Sequence, residues 1–164
     1  MPAGSVLRPM TGADRRAVAQ LWQLYAHDLS EFRDSRPNTE GRFRTGRLPT
    51  YFDDPDSAGF VITQDSNLAG FAFVMGVIRS PRHIGDFFVV RHFRRRGLGY
   101  AAARELLARY PGPWEIGFQV ENRGVPDFWR RLATDVAGTQ WREELRPVPG
   151  KPHIPDDHFL IFTT

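Results

Sequence analysis

The sequence predicts an α/β fold in which helices pack on one mixed sheet. Runs rich in Val, Ile and Phe alternate with helix-periodic segments along most of the chain. The first half contains a hairpin signal, and the second half has the order strand, helix, strand, helix, strand. A length of 164 residues is ordinary for one domain, so we expect a single domain over 1–164.

The N-terminal part predicts a short strand followed by two helices. The strand is expected at 6–10, after which Thr11 or Asp14 supplies a helix N-cap. The apolar residues that follow recur at steps of three and four, which is the period of an amphipathic helix. A weaker, shorter helix is expected at 41–51. The apolar stripe of the first helix consists of Val18, Leu21, Trp22, Tyr25, Leu29 and Phe32.

The middle of the chain predicts a hairpin and a central strand. Strands at 59–64 and 68–78 flank the turn-forming triplet Asp65-Ser66-Asn67. A further strand at 84–90 ends in a nearly continuous apolar run, which is typical of a strand buried on both faces.

The second half predicts two helices and three strands. A helix at 97–110 is ended by Pro111-Gly112-Pro113, and alternating residues at 114–120 predict a strand. Asn122 is expected to cap a helix that has Pro126 in its first turn, where proline is tolerated. Two closing strands are expected at 139–145 and 159–163.

Composition excludes several classes of protein. Hydrophobic residues make up 41% and charged residues 25%, which is ordinary for a globular domain. The absence of cysteine excludes a disulfide scaffold, a cysteine zinc site and a thiol nucleophile. The longest apolar run, 71–78, is far shorter than a membrane helix of ~20 residues, and the start lacks a signal peptide. We therefore expect a cytoplasmic protein without a membrane partner.

The basic residues are almost all arginine. The formal net charge is only +3, and Lys151 is the only lysine among 22 basic residues. Arginine binds phosphates and carboxylates through two parallel hydrogen bonds, although a genomic preference for arginine codons explains the bias equally well. Charge alone does not distinguish a nucleic acid from a small phosphate ligand.

The most informative run is 86–101, where a buried strand leads through a basic turn into a helix. A helix N-terminus presents unpaired N–H groups and the positive end of the helix dipole. Gly97 and Gly99 carry no side chain where a ligand must approach the backbone. Arginines at 91 and 94–96 add positive charge to the same turn. These features predict a pyrophosphate-binding site.

Two familiar phosphate motifs do not fit this run. A P-loop needs a Gly-Lys-Ser/Thr ending, and the run contains no lysine. A dinucleotide fingerprint needs a strand directly before the glycines and an acidic ribose ligand about 20 residues later. Here the strand ends too early, and no such acid follows.

Two motifs of the sequence resemble those of a known family. Arg94-x-x-Gly97-x-Gly99, directly after Asp86-Phe-Phe-Val, resembles the acetyl-CoA-binding motif of the GCN5-related N-acetyltransferases, the GNAT superfamily. Asn122-x-x-Val125-x-x-Phe128-Trp129 is similar to a second family segment that follows the fifth strand. The predicted order of elements also matches, over nearly the whole chain. Residues 24–32 further resemble a bacterial subgroup of predicted acetyltransferases without an assigned substrate.

The resemblance implies acetyl-CoA as co-substrate, bound in a gap where the fourth and fifth strands splay apart. Backbone groups of Val89, Val90 and Arg91 would pair with the pantetheine arm. Asn122 would hydrogen-bond the cofactor, and Phe128 and Trp129 would lie along its path. The pyrophosphate would be held by the backbone amides of Arg94, Arg95, Arg96, Gly97, Leu98, Gly99 and Tyr100.

The implied reaction is direct attack of a neutral amine on the thioester, with a base that removes the amine's proton. Asp86 is the leading candidate for this base, since an aspartate in a buried strand beside a cleft can have a raised pKa. Its alternative role is to anchor a loop. The sequence departs from the family at Trp129, which replaces the usual acidic tyrosine, and at Gly85, where relatives often carry glutamate.

The acceptor is expected to be a small-molecule or peptide amine. Glu31 is a weak candidate for a catalytic or substrate-contacting group, as is Asp28, although both also suit a solvated helix end. Glu115 and Glu121 are candidates for the acceptor side of the cleft, and His83 for a proton relay. No metal is expected, because His153 and His158 are too far apart in the sequence to suggest a ligand pair.

Two rival functions follow from the same residues. Trp129 leaves open a catalytically silent domain that binds acyl-CoA as a sensor. The arginines suggest a nucleic-acid-binding domain, but the chain lacks a basic readout helix or an aromatic-decorated sheet, so no nucleic-acid partner is expected. The predicted C-terminal strands are pairing edges for a homodimer, and nothing in the sequence decides the oligomeric state.

Overall fold

One seven-stranded sheet crosses the molecule, and a computed structural model describes it over residues 6–164. The strand order is β1-β2-β3-β4-β5-β7-β6, and only β4 and β5 are parallel. The order of strands and helices confirms the predicted mixed α/β fold. The elements are β1 (Leu7–Pro9), α1 (Arg15–Leu29), α2 (Leu48–Asp53), β2 (Ser57–Gln64), β3 (Asn67–Met75), β4 (Arg82–Val89), α3 (Leu98–Arg109), β5 (Pro113–Phe118), α4 (Val125–Ala137), β6 (Arg142–Arg146) and β7 (Asp157–Thr163).

Each face of the sheet carries its own hydrophobic core. α3 and α4 cover one face, where the alternating residues of β5 point inward with Leu160 of β7. α1 and α2 cover the other face over β2, β3 and β4, where Phe71 and Phe73 pack against Trp22. Because neighbouring residues of a strand point to opposite faces, β3 contributes to both cores.

Several helices and strands begin or end at residues other than the predicted ones, because single residues determine where these elements stop. α1 ends at Leu29, so Phe32 lies in the turn after the helix. The predicted helix at 41–51 begins only at Leu48. β3 ends at Met75 because Gly76 adopts a φ of +76°. The tip of the β2–β3 hairpin is the predicted turn, with left-handed Asp65 and Ser66.

The predicted N-cap of α4 is wrong. α4 begins at Val125, and its N-cap is Gly124 with a φ of +84°. The Asn122 carbonyl accepts a hydrogen bond from the Val125 N–H, which closes a turn before the helix starts. Asn122 therefore lies in the loop between β5 and α4, and not at the helix terminus.

β4 and β5 are paired only at their beginnings. Arg82 lies opposite Trp114 and His83 opposite Glu115, and no later residues of the two strands are in register. A bulge at Gly85 interrupts β4 just beyond this point, because Phe73 pairs with Asp86 and Val74 with Ile84. The two strands therefore diverge, as the resemblance implied, and a gap opens in the sheet. Within residues 6–164, no helix is long and apolar enough to cross a membrane.

Candidate active site

A cleft of about 700 Å³ occupies the gap between β4 and β5. Residues 84–89 of β4 form one wall, and residues 117–119 at the end of β5 form the other. The starts of α3 and α4 and the end of α1 contribute the remaining surface. The cleft thus brings together both motifs that the sequence analysis identified.

The backbone of β4 faces the gap at alternate residues. The Val90 N–H donates to the Ala69 carbonyl at 2.8 Å, so Gly70 and Val89 form a non-hydrogen-bonded pair. The polar groups of Phe87 and Val89 consequently point away from β3 and into the gap. The Val90 carbonyl also accepts from the Phe93 N–H, at 2.9 Å. Both backbone groups of Val90 therefore already have a partner within the protein, and the pairing of Val90 with the pantetheine arm stays a prediction.

The turn before α3 presents a row of free amides. Within the part of the chain that the structure describes, no backbone N–H from Arg95 to Tyr100 has a hydrogen-bond partner, and the first helical bond is from Ala101 to Gly97. Gly97 adopts a φ of +80°, which favours glycine. A Cβ at Gly99 would lie 3.5 Å from Val89, in ordinary contact, so the protein's own packing does not require glycine there. This arrangement suits an anion such as a pyrophosphate.

Arg94 does not contribute to this row. Its N–H donates to the Arg91 carbonyl at 3.1 Å. Its guanidinium donates to the Val89 carbonyl at 2.6 Å through Nε and to Asp28 at 2.5 Å through Nη2. The Arg94 amide therefore already has a partner within the protein, and its contact with the pyrophosphate stays a prediction. Arg95 and Arg96 are exposed beside the free amides, whereas the Leu98 side chain is buried in the core.

Aromatic rings form the wall of the cleft on the α4 side. The Phe87 ring lies 5.5 Å from that of Trp129 and 6.3 Å from that of Phe128. Tyr100 completes this wall, edge-on to Phe128, and its hydroxyl donates to Asp135. Trp129 is buried, as a core residue would be, yet it also lines the cleft. Asn122 also lines the cleft.

Asp86 lines the cleft and is held by two phenols. Tyr25 donates to its Oδ1 at 2.7 Å, and Tyr51 donates to its Oδ2. Arg47 Nη2 lies 3.5 Å from the same Oδ2. Only 10% of the Asp86 side chain is exposed. Burial raises the pKa of Asp86 above its ordinary value, and it outweighs the hydrogen bonds and the arginine, which lower it.

Gly85 explains how the Tyr51 hydroxyl reaches Asp86. A Cβ at Gly85 would lie 2.1 Å from the Tyr51 hydroxyl oxygen and 2.9 Å from Cζ. The tyrosine ring therefore fills the space that a side chain at this position would need. Its own position is fixed by stacking on Phe73, with ring centroids 4.2 Å apart.

The other acidic candidates divide into two groups. Asp28 and Glu31 line the cleft at the end of α1. Glu115 instead forms an ion pair with Arg146 at 2.7 Å, and neither Glu115 nor Glu121 lines the cleft. Glu115 and Glu121 therefore lie outside the lining of the cleft, and their place on the acceptor side stays a prediction. His83 lies near Glu115, with 3.8 Å between Nδ1 and Oε2, outside the lining of the cleft.

Some residues at this site were not identified from the sequence. Tyr51 and Arg47 are distant in sequence from Asp86, and no local motif connects them. Tyr25 was assigned to the core, where its ring does pack on Phe71, but its hydroxyl reaches Asp86. The one usable signal was Gly85, because a glycine inside a strand marks a bulge or a close approach. Within residues 6–164, no group of three or more His, Asp or Glu side chains is arranged to hold a metal.

Structural comparison finds the same fold in known acetyltransferases. The ribosomal-protein-S18-alanine N-acetyltransferase from Escherichia coli has a TM-score of 0.64 at 14% identity, covering 94% of this chain and 90% of that one. The spermidine N-acetyltransferase from Vibrio cholerae, in complex with CoA and spermine, has 0.68 at 14% identity, covering 96% and 94%. The aminoglycoside acetyltransferase AAC(6')-Ib, in complex with coenzyme A, has 0.67 at 15% identity, covering 96% and 94%.

Sequence comparison identifies the family. No curated protein matches the chain by sequence. The model of the acetyltransferase (GNAT) family matches residues 18–133, which include every residue that lines the cleft. The match covers well over half of the chain and agrees with the fold. The chain belongs to the acetyltransferase (GNAT) family.

Proposed function

We propose that this protein transfers the acetyl group of acetyl-CoA to the nitrogen of an amine, either a small molecule or a peptide amine. One observation carries the proposal: the cleft between β4 and β5 is lined both by the free backbone amides of the turn before α3 and by a buried carboxylate, Asp86. The relatives named above acetylate an alanine, spermidine and aminoglycosides, which supports an amine acceptor in general.

The residues of the cleft fit acetyl-CoA. The amides of residues 95–100 suit its pyrophosphate, and the absence of a Cβ at Gly99 lets it approach the backbone. The outward-facing backbone of Phe87 and the N–H of Val89 would pair with the pantetheine arm like an added strand, whereas the Val89 carbonyl already accepts from Arg94 Nε. Phe128 and Trp129 would flank the arm, and Asn122 would hydrogen-bond it. When bound, the cofactor supplies the activated thioester.

Asp86 would act as the general base. Its carboxylate accepts the proton of the amine while the nitrogen bonds to the acyl carbon and the carbon–sulfur bond breaks. The raised pKa of Asp86 suits this step, because a more basic carboxylate is a better proton acceptor. Tyr25 and Tyr51 would hold the carboxylate in position. The products are the acetylated amine and CoA.

Among the described residues that line the cleft, no tyrosine is free to replace the missing acid. Trp129 has no titratable proton, and Tyr25 and Tyr100, the tyrosines that line the cleft, both donate to carboxylates. Burial and the Asp86 charge raise the pKa of Tyr25 well above its ordinary value, which makes it a poor acid. We infer that CoA leaves as a thiolate and takes its proton from water, and that Asp86 returns its proton to solvent.

Thermal unfolding with acetyl-CoA, CoA and ATP tests cofactor binding first. A ligand at a hundredfold excess over its dissociation constant adds ~2.7 kcal/mol to the free energy of unfolding. Both CoA species should raise the melting temperature, and ATP should not. Release of free thiol is then measured with spermidine, an aminoglycoside and peptides that carry a free N-terminal alanine or a lysine. Binding without transfer to any amine would identify an acyl-CoA-binding domain, and absence of binding would overturn the proposal.

A further inference from the structure

The turn before α2 reaches Asp86 without lining the cleft. Arg47 precedes the first residue of α2, and its Nη2 donates to the Gly85 carbonyl at 3.1 Å. The same nitrogen lies 3.5 Å from Oδ2 of Asp86. Gly85 is the extra residue of the β4 bulge and has no partner in the register with β3. One guanidinium nitrogen therefore joins the bulge to the carboxylate that follows it.

Helix α1 holds the segment that carries this arginine. The Gln23 side chain donates to the Phe43 carbonyl at 3.0 Å and accepts from the Phe43 N–H at 2.8 Å. Trp22 Nε1 donates to the Arg44 carbonyl at 3.2 Å. These three bonds fix the backbone only a few residues before Arg47. The guanidinium is therefore delivered to Asp86 by a segment that is bound to the scaffold.

Arg47 is the only charged side chain that contacts Asp86 within residues 6–164. Tyr25 of α1 and Tyr51 of α2 also donate to the carboxylate, but both are neutral, and the residue paired with Asp86 on β3 is Phe73. Burial raises the pKa of Asp86, and Arg47 and the two phenols offset part of the rise. This matters for catalysis, because a carboxyl group that already holds a proton cannot accept one from the amine.

We propose that Arg47 is a positioning residue for the base, which holds Asp86 against the bulge and keeps its carboxylate charged. Arg47 acts through Asp86, because it does not line the cleft in which amine and cofactor would bind. The Arg47 side chain is 55% exposed, so its replacement should leave the fold intact. The catalytic role rests on the proposed function, whereas the effect on the charge of Asp86 does not.

Two substitutions at position 47 separate charge from hydrogen bonding. Arg47→Gln keeps an N–H donor for the Gly85 carbonyl and removes the charge. Arg47→Lys keeps the charge on a different side chain. Arg42→Gln is the matched control, since it removes an exposed arginine of the same loop whose side chain has no hydrogen bond or ion pair among the described residues.

The titration of Asp86 is measured first, without cofactor or amine. Its carboxyl carbon is followed by NMR against pH and assigned with Asp86→Asn. An opposite charge this close favours the ionised form of a carboxyl group about tenfold or more. At the pH where the natural chain is half ionised, the charged fraction in Arg47→Gln should therefore fall about fivefold. Arg47→Lys and Arg42→Gln should titrate like the natural chain.

Two results of this titration would overturn the proposal. One is an unchanged midpoint in Arg47→Gln, which would show that the guanidinium does not act on Asp86. The other is an equal shift in Arg42→Gln, which would show that only the net charge of the protein matters.

Kinetics with spermidine and an alanine-ended peptide as probe amines then test the catalytic role. On the acid side, kcat/KM of Arg47→Gln should be about fivefold lower than in the natural chain, and at high pH within about twofold of it. Both chains need the neutral amine, so this requirement cancels in the ratio of their rates. Arg47→Lys should restore the natural profile, and titration calorimetry should give an unchanged affinity for CoA.

The kinetic outcomes separate this proposal from the proposed function. A loss in Arg47→Gln that is equal at every pH would show a merely structural role and overturn the positioning of the base. A natural chain that acetylates neither amine would overturn the proposed function. The NMR titration would then still decide whether Arg47 keeps Asp86 charged.

Discussion

At the scale of single residues, the environment of Asp86 determines its chemistry. A carboxylate that loses water normally gains a proton, and the pKa of Asp86 is raised for this reason. Hydrogen bonds from two phenols limit that rise and fix the orientation of both oxygens. The result is a carboxylate that can be charged and yet remains a good proton acceptor, which suits a general base.

Asp86→Asn is predicted to lower kcat/KM about a hundredfold, because an amide cannot accept the amine's proton. In the natural chain, kcat/KM should increase with pH as Asp86 loses its proton, and this increase should be absent from the variant.

Asp86 also makes stability depend on pH. Its pKa is higher in the native state than in the unfolded state. The free energy of unfolding therefore falls as the pH rises from the unfolded-state pKa through the native-state pKa. The asparagine variant should lack this loss, as chemical denaturation at several pH values would reveal.

Asp65→Asn is the control for this substitution. Asp65 lies at the tip of the β2–β3 hairpin with a left-handed φ that asparagine also adopts, so both stability and rate should be retained. Full activity in Asp86→Asn would exclude Asp86 as the base.

At the scale of elements, the first turn of α3 lies at the helix N-terminus and contains Gly99, where an added Cβ would make only ordinary contacts. A carboxylate at position 99 would favour the helix, since negative charge is stabilising in the first turn. The same carboxylate would occupy the place proposed for the pyrophosphate. Stability and cofactor binding can therefore be separated at this one position.

Gly99→Glu is predicted to weaken CoA binding at least about tenfold and to leave the melting temperature without ligand unchanged or slightly raised. Titration calorimetry and thermal unfolding measure the two quantities. Ala108→Glu, at an exposed position near the other end of α3, adds the same charge and should retain the affinity of the natural chain. Retained CoA affinity in Gly99→Glu would show that the phosphates bind elsewhere.

The sequence predicts contiguous features better than distant contacts. The strand, turn and helix at 86–109 form one uninterrupted segment, so their pattern predicts the gap edge and the anion site. Tyr25 and Tyr51 are 61 and 35 residues from Asp86, and only the folded sheet brings them there. Arg94 shows the converse: its motif implied a phosphate contact, but an aspartate 66 residues away takes its guanidinium. A linear motif cannot encode such competition between partners.

At the scale of the whole molecule, one sheet serves two cores. Phe71 and Phe73 of β3 pack on the side of α1, while Ala72 and Val74 between and after them pack on the side of α3. Because β3 belongs to both cores, loss of packing in one core also disturbs the other. We therefore infer that residues 6–164 unfold as one cooperative unit in spite of the gap between β4 and β5.

Tryptophan positions allow a direct test of this cooperativity. Trp22 reports on the core beneath α1, and Trp114 and Trp129 report on the core beneath α3 and α4. In Trp22→Phe, the urea midpoint from fluorescence should equal the midpoint from far-UV circular dichroism. The same agreement is expected in a chain with Trp114, Trp129 and Trp141 all replaced by phenylalanine, in which Trp22 is the only tryptophan left. Separate midpoints in either variant would indicate two folding units and contradict a single domain.

The contact between Gly85 and Tyr51 also constrains the order in which this site can change during evolution. A larger residue cannot enter position 85 first, because its Cβ would lie 2.1 Å from the Tyr51 hydroxyl oxygen. Tyr51 must first be replaced by a smaller residue. The protein with that replacement lacks a buried ring and a hydrogen bond to Asp86. Truncation of a buried aromatic residue typically costs about 3–5 kcal/mol. A lineage that acquires a larger residue at position 85 must therefore pass through a less stable ancestor, which makes the present pair of residues hard to change by single substitutions.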